Sequence, residues 1–593
     1  MATTVEKTVP SDLDAQRPHT PRRRRRISGR SVAITTIVAV VLYLVFGPLL
    51  MLIFSSFRET DGALPFESGV EWTLENYLTV FTSRSTYMVL GTTLVYSFGS
   101  LVVSFGMALT LAWFVERTDM PFRGLISVLV IASLGLPGVI FGIAWVLLMS
   151  PRSGMINVWV RQIFGLEGEG PLNVYSLPGM TFVQGISLVP ITFLLVAAAF
   201  KASDAGVEEA GATSGARFPR IMRKITLPLL APALLSALVY QFVSVVESFD
   251  IPLVIGLPGD VRVLSTEIYA RSTPAGGLPD YGQSAAYSIL LIAIALGPLL
   301  FYNRVIKHSD RYATLSGHSH RSRRLSLGKW RWAAFAVSFG VIFLIFILPA
   351  AVMIWTSLQP FYAIPSAESF SRISFAAYDE ILGSREFRRS LGNTFLMATA
   401  TGFVTMVLGL LVSWILVRTR SRMRTPLDVI AFTPHAMPGI IIGISVLLIY
   451  LFLPVPIYGT IWIMVVALST QWLALSSRLM TGGIAQIRAD LEEVAATSGA
   501  GWSMTMRKIV LPLVLPAFLN GFVLIFMMAV KNLTIPLILF QPKTNVLSTL
   551  VYQFWERGDT SATAAVGTIT VMITLTLAML YRRLNRYTFA DKM

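Results

Sequence analysis

Long apolar runs separated by short polar stretches account for most of the chain. A helix that crosses a bilayer needs about 20 mostly apolar residues. Twelve runs meet or approach that length, at residues 32–55, 88–115, 124–149, 178–200, 228–250, 283–303, 332–356, 391–417, 427–453, 459–480, 512–533 and 563–581. The pattern predicts an all-α integral membrane protein with twelve transmembrane helices.

The composition agrees with a membrane protein and argues against a soluble one. Hydrophobic residues make up 54% of the 593 residues and charged residues only 13%, whereas roughly 25% of residues in a soluble domain are charged. A net charge of +16 would indicate nucleic-acid binding in a soluble protein, but here the basic residues concentrate in loops. Because the chain has no cysteine, disulfides and thiolate metal ligands are excluded.

Four basic segments fall on one side of the membrane if the chain crosses twelve times. They are the run Arg22–Arg26, the connection 304–331, the loop Arg418–Arg424 and the tail Arg582–Arg586. Short cytoplasmic loops are enriched in Lys and Arg, so both termini are predicted to be cytoplasmic. The first apolar run is too long for the core of a signal peptide, and we interpret it as a retained first span.

An internal repeat divides the chain into two halves. Residues 208–235 and 492–519 are identical at seventeen of twenty-eight positions, at a constant offset of 284. Upstream the offset becomes 301, where Pro137-Gly138 aligns with Pro438-Gly439. We therefore predict two tandem six-helix repeats in the same orientation, related by a pseudo-two-fold axis along the membrane normal. The predicted segments are a basic tail (1–31), a first domain (32–303), a basic linker (304–331) and a second domain (332–593).

The repeated segment lies between the fourth and fifth spans of each half, which the charge pattern places in the cytoplasm. It is rich in alanine, and Gly215 and Gly499 permit a tight turn. Pro228 and Pro512 stand near the first turn of the fifth span, where a missing N–H costs little. An amphipathic linker resting on lipid headgroups is the alternative interpretation. Since the order of residues is preserved in both copies, we favour a docking surface for another protein.

Both copies resemble the EAA loop of ABC importer permeases, whose pattern is E-A-A-x3-G-x9-I-x-L-P. The matching residues are Glu209, Ala210, Gly215, Ile225, Leu227 and Pro228 in the first copy, and Glu493, Ala495, Gly499, Ile509, Leu511 and Pro512 in the second. The departures are Gly211 and Val494, which leave the turn glycine and the spacing intact. The resemblance extends over nearly the whole chain.

This resemblance implies a type I ABC importer fold and a set of partners. The two loops would be coupling helices seated in a separate homodimeric ATP-binding cassette ATPase on the cytoplasmic side. A periplasmic or lipid-anchored solute-binding protein would deliver the solute on the outer side of a bacterial inner membrane. The chain has no G-x4-G-K-[ST] phosphate loop. We therefore expect no cofactor in this chain, no enzymatic activity of its own, and ATP–Mg in the partner.

The resemblance also suggests a substrate. The segments Glu247–Asp250, Val546–Thr549 and Val551–Gly558 resemble the iron(III)-type branch of the family, so ferric iron is the expected substrate. The same broad branch includes thiamine, polyamine and phosphonate importers, which remain alternatives. The sequence contains no cluster of tyrosines, histidines and carboxylates with the spacing of a tight ferric site. The pair His318 and His320 has no third ligand nearby, so no metal site is predicted.

Charged residues near the ends of the fifth and eleventh spans are candidates for the translocation path. At offset 284, Glu247 aligns with Lys531 and Asp250 with Thr534, and Asn532 follows the lysine. Ionisable groups inside spans are costly and usually face a cavity or the bundle interior. We expect Glu247 and Lys531 to form a gate pair or to line the path. The alternative is that both snorkel to the outer interface.

Two other classes of protein compete with this interpretation. A twelve-span secondary transporter would need coupling charges inside the bundle, but would not need two alike cytoplasmic loops. A membrane enzyme lacks support, because the chain has no H-E-x-x-H motif and no nucleophile elbow. His435 lies in an apolar stretch, where a packed or hydrogen-bonded histidine is the simpler interpretation.

Overall fold

A computed structural model describes residues 29–202, 205–216, 218–274, 276–306, 325–419, 423–488 and 490–590. The basic run at 22–26, most of the linker and the pair His318 and His320 lie outside the described residues. Within these residues the regular secondary structure is helical. Two isolated β-bridges pair Arg58 with Trp72 and Thr118 with Leu325. The all-α prediction is confirmed.

Twelve α-helices form the first half and fourteen the second, among the described residues. The first half comprises α1 (Gly29–Ser56), α2 (Glu75–Thr82), α3 (Arg84–Arg117), α4 (Arg123–Ser133), α5 (Gly138–Met149), α6 (Met155–Phe164), α7 (Leu177–Ala202), α8 (Ala205–Thr213), α9 (Phe218–Ile221), α10 (Leu227–Val246), α11 (Leu264–Ser272) and α12 (Tyr281–Ile306). The second comprises α13 (Arg331–Ile342), α14 (Leu348–Ser357), α15 (Ala367–Ser371), α16 (Ala376–Gly383), α17 (Arg385–Arg418), α18 (Arg424–Phe432), α19 (Gly439–Phe452), α20 (Ile461–Ala485), α21 (Asp490–Thr497), α22 (Trp502–Thr505), α23 (Leu511–Lys531), α24 (Thr534–Leu539), α25 (Leu547–Glu556) and α26 (Thr560–Ala590).

The helix boundaries repeat with the offsets that the sequence repeat has. Helices α3 and α17 are both 34 residues long and begin 301 residues apart. Helices α10 and α23 begin 284 residues apart, each directly after a five-residue π-helical segment. The prediction of two tandem repeats is therefore confirmed at the level of single helices.

The third span of each half is broken, where the apolar pattern predicted one continuous helix. Helices α4 and α5 meet at 103°, and α18 and α19 at 105°. Pro137 and Pro438 immediately precede α5 and α19, with extended backbone angles. Proline removes an intrahelical hydrogen bond and disfavours helical geometry in the residue before it, so each helix ends there and a new one begins in another direction.

Contacts between helix ends determine how often the chain crosses the membrane. Arg117, at the end of α3, donates to the carbonyl of Phe200 near the end of α7 (3.0 Å), so both ends lie on one side. Helices α3 and α7 are each long enough to span a bilayer. The chain must therefore return to the opposite side between them, through α4 and α5. In the second half Arg418, at the end of α17, donates to the carbonyl of Ile484 near the end of α20, so the chain likewise crosses between them through α18 and α19. The described helices therefore make twelve crossings. We call the side that holds Arg117 and Arg418 the loop side.

Small residues allow the long helices to pack closely inside each half. A Cβ on Gly185 of α7 would approach Val103 of α3 to 2.6 Å, and one on Gly409 of α17 would meet Ser476 of α20 at 2.6 Å. Ser104 and Thr192 add a hydroxyl–hydroxyl hydrogen bond of 2.7 Å between α3 and α7. In lipid, helices associate through such close packing and polar contacts because the surrounding tails are as apolar as the side chains.

The first helix of each half packs against the other half. Helix α1 buries Val38, Val41 and Val45 in a cluster with second-half residues of α17 and α20, and its Tyr43 hydroxyl donates to Tyr450 (3.0 Å). In the reciprocal contact, Ser338 of α13 lies 3.3 Å from the Met120 sulfur. The two halves thus exchange their first helices, and the junction between them runs through the centre of the molecule.

Candidate functional site

The two repeated loops have the same backbone geometry on the loop side. In each, a short helix (α8 or α21) ends at a glycine with φ of +80°, Gly215 or Gly499. Ala216 donates its N–H to the carbonyl of Gly211 (3.1 Å), and Ala500 donates to Ala495 (2.9 Å). This is the Schellman arrangement, which needs a left-handed residue and therefore favours glycine. The predicted helix and glycine turn are both present.

Each short helix presents the same small apolar surface to solvent. Val207 and Ala210 are exposed on α8, and the equivalent Leu491 and Val494 are exposed on α21, with 45% and 62% of their surface accessible. The motif residues Glu209 and Glu493 lie in these two helices. The departure at Val494 therefore falls on the exposed side, whereas Ala495 is buried.

The first loop is tied to the transmembrane helices by an ion pair and by packing. The Arg117 guanidinium of α3 lies 3.6 Å from the Glu208 carboxylate of α8, and both side chains are largely buried. A Cβ at Gly211 would meet Ile225 Cδ1 at 2.8 Å, so the motif isoleucine packs directly on α8. Helix α3 and the helix after the turn therefore both contact the loop directly.

Pro228 and Pro512 lie in the first turn of α10 and α23 as predicted, but both helices continue a preceding helical segment without a break. Helix α9, the π-helical segment Met222–Thr226 and α10 form one continuous helix, and Leu227 donates its N–H to the carbonyl of Met222. A proline leaves a carbonyl unpaired and crowds the preceding turn, and a π-helical turn is one way to accommodate it. The basic segment after the glycine turn therefore runs unbroken into the membrane.

The far ends of α10 and α23 meet at a polar junction between the halves. Thr534 Oγ1 donates to Asp250 Oδ1 at 3.3 Å, so two residues at equivalent positions touch each other. Asp250 also lies against the break in the third span, because a Cβ on Gly138 would approach its Oδ2 to 2.7 Å. Glycine at this position is what allows the carboxylate to lie there.

Lys531 belongs to this junction, but not through the partner expected from the sequence. Its Nζ donates to the carbonyl of Leu134 at 3.1 Å, at the break between α4 and α5. The Asp250 carboxylate lies at the same break and carries the opposite charge. The expected Glu247–Lys531 contact is not formed: Glu247 caps the end of α10, where its N–H donates to the carbonyl of Val243.

Asn532 has an architectural role in the second half. Its Oδ1 accepts the N–H of Ile535 (3.1 Å) at the start of α24, and its Nδ2 donates to Gln471 (3.3 Å). Its carbonyl accepts the hydroxyl of Ser548 (2.8 Å), just as the carbonyl of Ser248 accepts that of Ser265 (2.6 Å). Asn532 therefore holds the junction in shape.

His435 connects the halves by ring stacking, an arrangement that its apolar surroundings in the sequence did not reveal. Its ring lies parallel to that of Tyr240 from α10, with centroids 5.7 Å apart and an interplanar angle of 16°. Phe432 packs on the same imidazole at 5.3 Å. The break in the second half thus contacts α10 through His435, and the break in the first half contacts the end of α23 through Leu134.

The fold, the repeat and the paired loops define an ABC importer permease with two fused domains. Residues 105–312 and 405–589 match the family described as "Binding-protein-dependent transport system inner membrane component". These two segments make up more than half of the chain, one in each half. The chain therefore belongs to this family of multi-pass transport permeases.

Curated relatives and a solved structure resemble the chain over different lengths. The ferric transport system permease protein FbpB of Actinobacillus pleuropneumoniae is 25% identical over 563 residues, which cover 93% of this chain and 77% of that protein. The putative 2-aminoethylphosphonate transport system permease protein PhnV of Salmonella typhimurium is 26% identical over 268 residues, or 44% and 96%. A crystal structure of a bacterial ABC transporter that imports alginate is 17% identical, covering 48% of this chain and 99% of that chain, with a TM-score of 0.35.

Proposed function

We propose that this permease imports ferric iron, delivered by an external binding protein and driven by a separate ATP-binding cassette ATPase. The observation that supports this most strongly is the pair of loops with one geometry and one exposed apolar surface on the same side of the molecule. Single loops of this kind can rest on lipid, but two equivalent ones fit a dimeric partner.

The ATPase partner would bind α8 and α21. Val207 and Ala210 in one loop, and Leu491 and Val494 in the other, offer two equivalent apolar contacts of the kind that a symmetric dimer recognises. The ATP and magnesium ion would belong to that partner. On this assignment the loop side is cytoplasmic, with both termini, and the binding protein docks on the opposite side of a bacterial inner membrane.

A continuous helix connects each docking loop to the polar junction. The helix from Phe218 to Val246 begins beside the first glycine turn and ends four residues before Asp250. At 1.5 Å per residue it is roughly 40 Å long, enough to cross the membrane. Closure of the ATPase dimer would move both loops, and these helices would transmit the movement to Asp250 and Thr534. The junction would then open toward one side or the other.

Ferric iron is the substrate that the relatives and the junction favour. Relatives named for ferric transport align over most of the chain, and the junction offers carboxylate and hydroxyl oxygens, which suit hard cations. The second candidate is 2-aminoethylphosphonate, because permeases named for it align with one half and Lys531 could attract an anion. Thiamine and polyamines remain less supported alternatives.

Reconstitution tests the proposal directly. Proteoliposomes containing the permease, its partner ATPase and its binding protein are given labelled ferric ion, 2-aminoethylphosphonate, thiamine or a polyamine. We expect ferric uptake that requires ATP and stops with vanadate. Uptake driven by a proton gradient without the ATPase would instead establish a secondary transporter.

Loop variants test the docking surface in the same system. The double variant Val207→Asp/Leu491→Asp should lose ATPase binding and uptake, because charges replace both apolar contacts. Leu166→Asp, an exposed leucine on the opposite side, is the matched control and should retain both. The double variant Glu209→Ala/Glu493→Ala tests the motif carboxylates. Unchanged ATPase binding and uptake in both double variants would refute the coupling role.

A further inference from the structure

Helix α17 carries a basic first turn at its end opposite the loop side. Arg385 is its first residue and Arg418 its last. At 1.5 Å per residue the helix is roughly 50 Å long, whereas a bilayer with its headgroups is about 40–45 Å thick. Because Arg418 lies on the loop side, the first turn of α17 reaches the headgroup layer of the opposite leaflet.

A cavity of about 300 Å³ opens beside this first turn. It is lined by Arg385, Glu386, Arg389, Ser390, Pro542 and Asn545. The segment around Pro542 is held against α17 by Asn393, whose Nδ2 donates to the carbonyls of Lys543 (3.0 Å) and Asn545 (2.9 Å). Both walls of the cavity are therefore fixed relative to each other by hydrogen bonds.

Several polar groups at this cavity have no partner among the described residues. Arg385 and Arg389 are exposed and form no ion pair or hydrogen bond with any residue that the structure describes. The Ser390 hydroxyl is buried, and within the same described residues it has no hydrogen-bond partner either. Glu386 also lines the cavity, but two arginines against one carboxylate leave it positively charged. Guanidinium groups and a hydroxyl are suitable donors for a phosphate group.

An exposed apolar stripe lies on the same face of α17 as the two arginines. Residues seven apart lie on nearly the same side of a helix. Leu396 follows Arg389 by seven residues and Phe403 follows Leu396 by seven, and their surfaces are 47% and 57% accessible. Gly392 lies between Arg389 and Leu396, and a Cβ there would meet nothing within 4 Å. An open apolar surface thus leads from the basic cavity along the lipid-facing side of the helix.

Helix α3 repeats the apolar stripe but not the charges. At the offset of 301 the residues of its stripe are Gly91, Val95 and Val102. Met88 and Val89 occupy the positions of Arg389 and Ser390. Two helices with similar lipid-facing surfaces therefore differ at their outer ends, so the repeated fold itself does not require the basic cavity.

We propose that this cavity binds the phosphate of an anionic phospholipid in the leaflet opposite the loop side. Arg385 and Arg389 hold the phosphate through charge-assisted hydrogen bonds, and the Ser390 hydroxyl donates a further one. One acyl chain lies along the surface formed by Gly392, Leu396 and Phe403. The occupant is a lipid because the cationic cavity continues directly into an apolar, lipid-facing stripe. This inference is independent of the solute that the permease transports.

Native mass spectrometry of the delipidated, purified permease tests the site by titration with phosphatidylglycerol or phosphatidylcholine. We expect one phosphatidylglycerol to bind more tightly than phosphatidylcholine. In Arg385→Gln/Arg389→Gln this affinity should fall by about tenfold or more, because two cations near the anionic headgroup are lost. Arg84→Gln/Met88→Gln, at the exposed outer end of α3, is the matched control and should retain the wild-type affinity.

Thermal unfolding provides a second measurement that also shows whether the variants fold. A ligand that binds only the native state raises the melting temperature. Phosphatidylglycerol should therefore stabilise the wild type and the α3 control, but not Arg385→Gln/Arg389→Gln. Inorganic phosphate, which has no acyl chain, should not stabilise any of them. If inorganic phosphate stabilises the wild type as much as the lipid does, the cavity takes a free anion and the lipid assignment is wrong.

Equal affinity for phosphatidylglycerol in the wild type and in Arg385→Gln/Arg389→Gln would also overturn the proposal. If that variant then bound the external binding protein more weakly, the two arginines would instead belong to a protein contact.

Discussion

Asp250 and Thr534 occupy equivalent positions in the two halves and are hydrogen-bonded to each other, with Thr534 Oγ1 donating to Asp250 Oδ1 at 3.3 Å. Only one of these two positions is charged, so the repeat is asymmetric at the place where the halves meet. Lys531 supplies the opposite charge from the second half. The junction thus lies where equivalent positions of the two repeats meet, but its two charged residues, Asp250 and Lys531, are not equivalent to each other.

Removing one member of this pair should destabilise the permease more than removing both. Asp250 and Lys531 are opposite charges at one junction, so removing either leaves the other uncompensated, which in a buried ion pair typically costs about 3–5 kcal/mol, whereas apolar replacement of both is often neutral. We expect Asp250→Asn and Lys531→Met each to lower the melting temperature, and the double variant to recover most of the loss. A double-mutant cycle of melting temperatures measures the coupling.

The same cycle distinguishes Asp250 from Glu247 as the partner of Lys531. Glu247→Gln combined with Lys531→Met should give additive effects, and the charge swap Glu247→Lys/Lys531→Glu should not restore uptake. Restoration by that swap would show that Glu247 pairs with the lysine during transport.

Gly138 should not tolerate a side chain. Its Cβ would lie 2.7 Å from Asp250 Oδ2 and 3.2 Å from Asp250 Cβ, so Gly138→Ala must displace the carboxylate from the break in the third span. We expect a strong loss of uptake with the protein still inserted and folded. Gly124→Ala is the matched control, because its Cβ would meet nothing within 4 Å. Equal uptake by the two variants would argue against a role for the position of Asp250.

Replacing the turn glycine of each loop by alanine should be unfavourable because of the backbone conformation alone. Gly215 and Gly499 have φ of +80° and open space around the missing Cβ. A left-handed conformation costs a residue with a side chain roughly 1–2 kcal/mol, so Gly215→Ala/Gly499→Ala should loosen both loops. We expect weaker stimulation of the partner ATPase in that double variant. Gly91→Ala, inside a helix with open space, should leave stimulation unchanged.

Much of the fold could be predicted because the length of each apolar run and the internal repeat can be read directly from the order of residues. The break in the third span could not, since the apolar pattern continues through Pro137 and Pro438. The repeat had marked both Pro-Gly pairs, but proline inside a span often only kinks it. The sequence does not reveal bends as large as 103° and 105°, nor the residue that lies beside the break in the first half, Asp250.

The candidate path stays a prediction, and the absence of the expected Glu247–Lys531 contact has a geometric origin. Alignment of the repeats shows which positions are equivalent, but not which equivalent positions lie on the axis. Asp250 and Thr534 are hydrogen-bonded to each other, whereas Lys531 donates to Leu134 and not to Glu247.

The end of the linker is fastened to the first half by Asp119, which offers a last prediction. Leu327 donates its N–H to Asp119 Oδ1 (2.9 Å) and the Ser326 hydroxyl donates to Oδ2 (3.2 Å). The hydrogen bond from Leu327 holds the pKa of Asp119 below its usual range. Because a lowered pKa stabilises the ionised form, the contact should persist at neutral and mildly acidic pH and be lost only as the pH falls through that lowered value.

A spin label on Leu325→Cys, in a chain without native cysteine, reports this fastening. The label should stay immobile as the pH falls through about 3.9, the ordinary value for an aspartate, and become mobile only below it. With Asp119→Ala added, the label should be more mobile than in the parent at every pH, since the two donors lose their acceptor while the backbone bonds of Leu325 to Arg117 and Asp119 remain. A label on Val95→Cys, exposed in the middle of α3, is the control and should not respond. Mobility that rises already at the ordinary aspartate pKa would mean that the linker is held by other contacts.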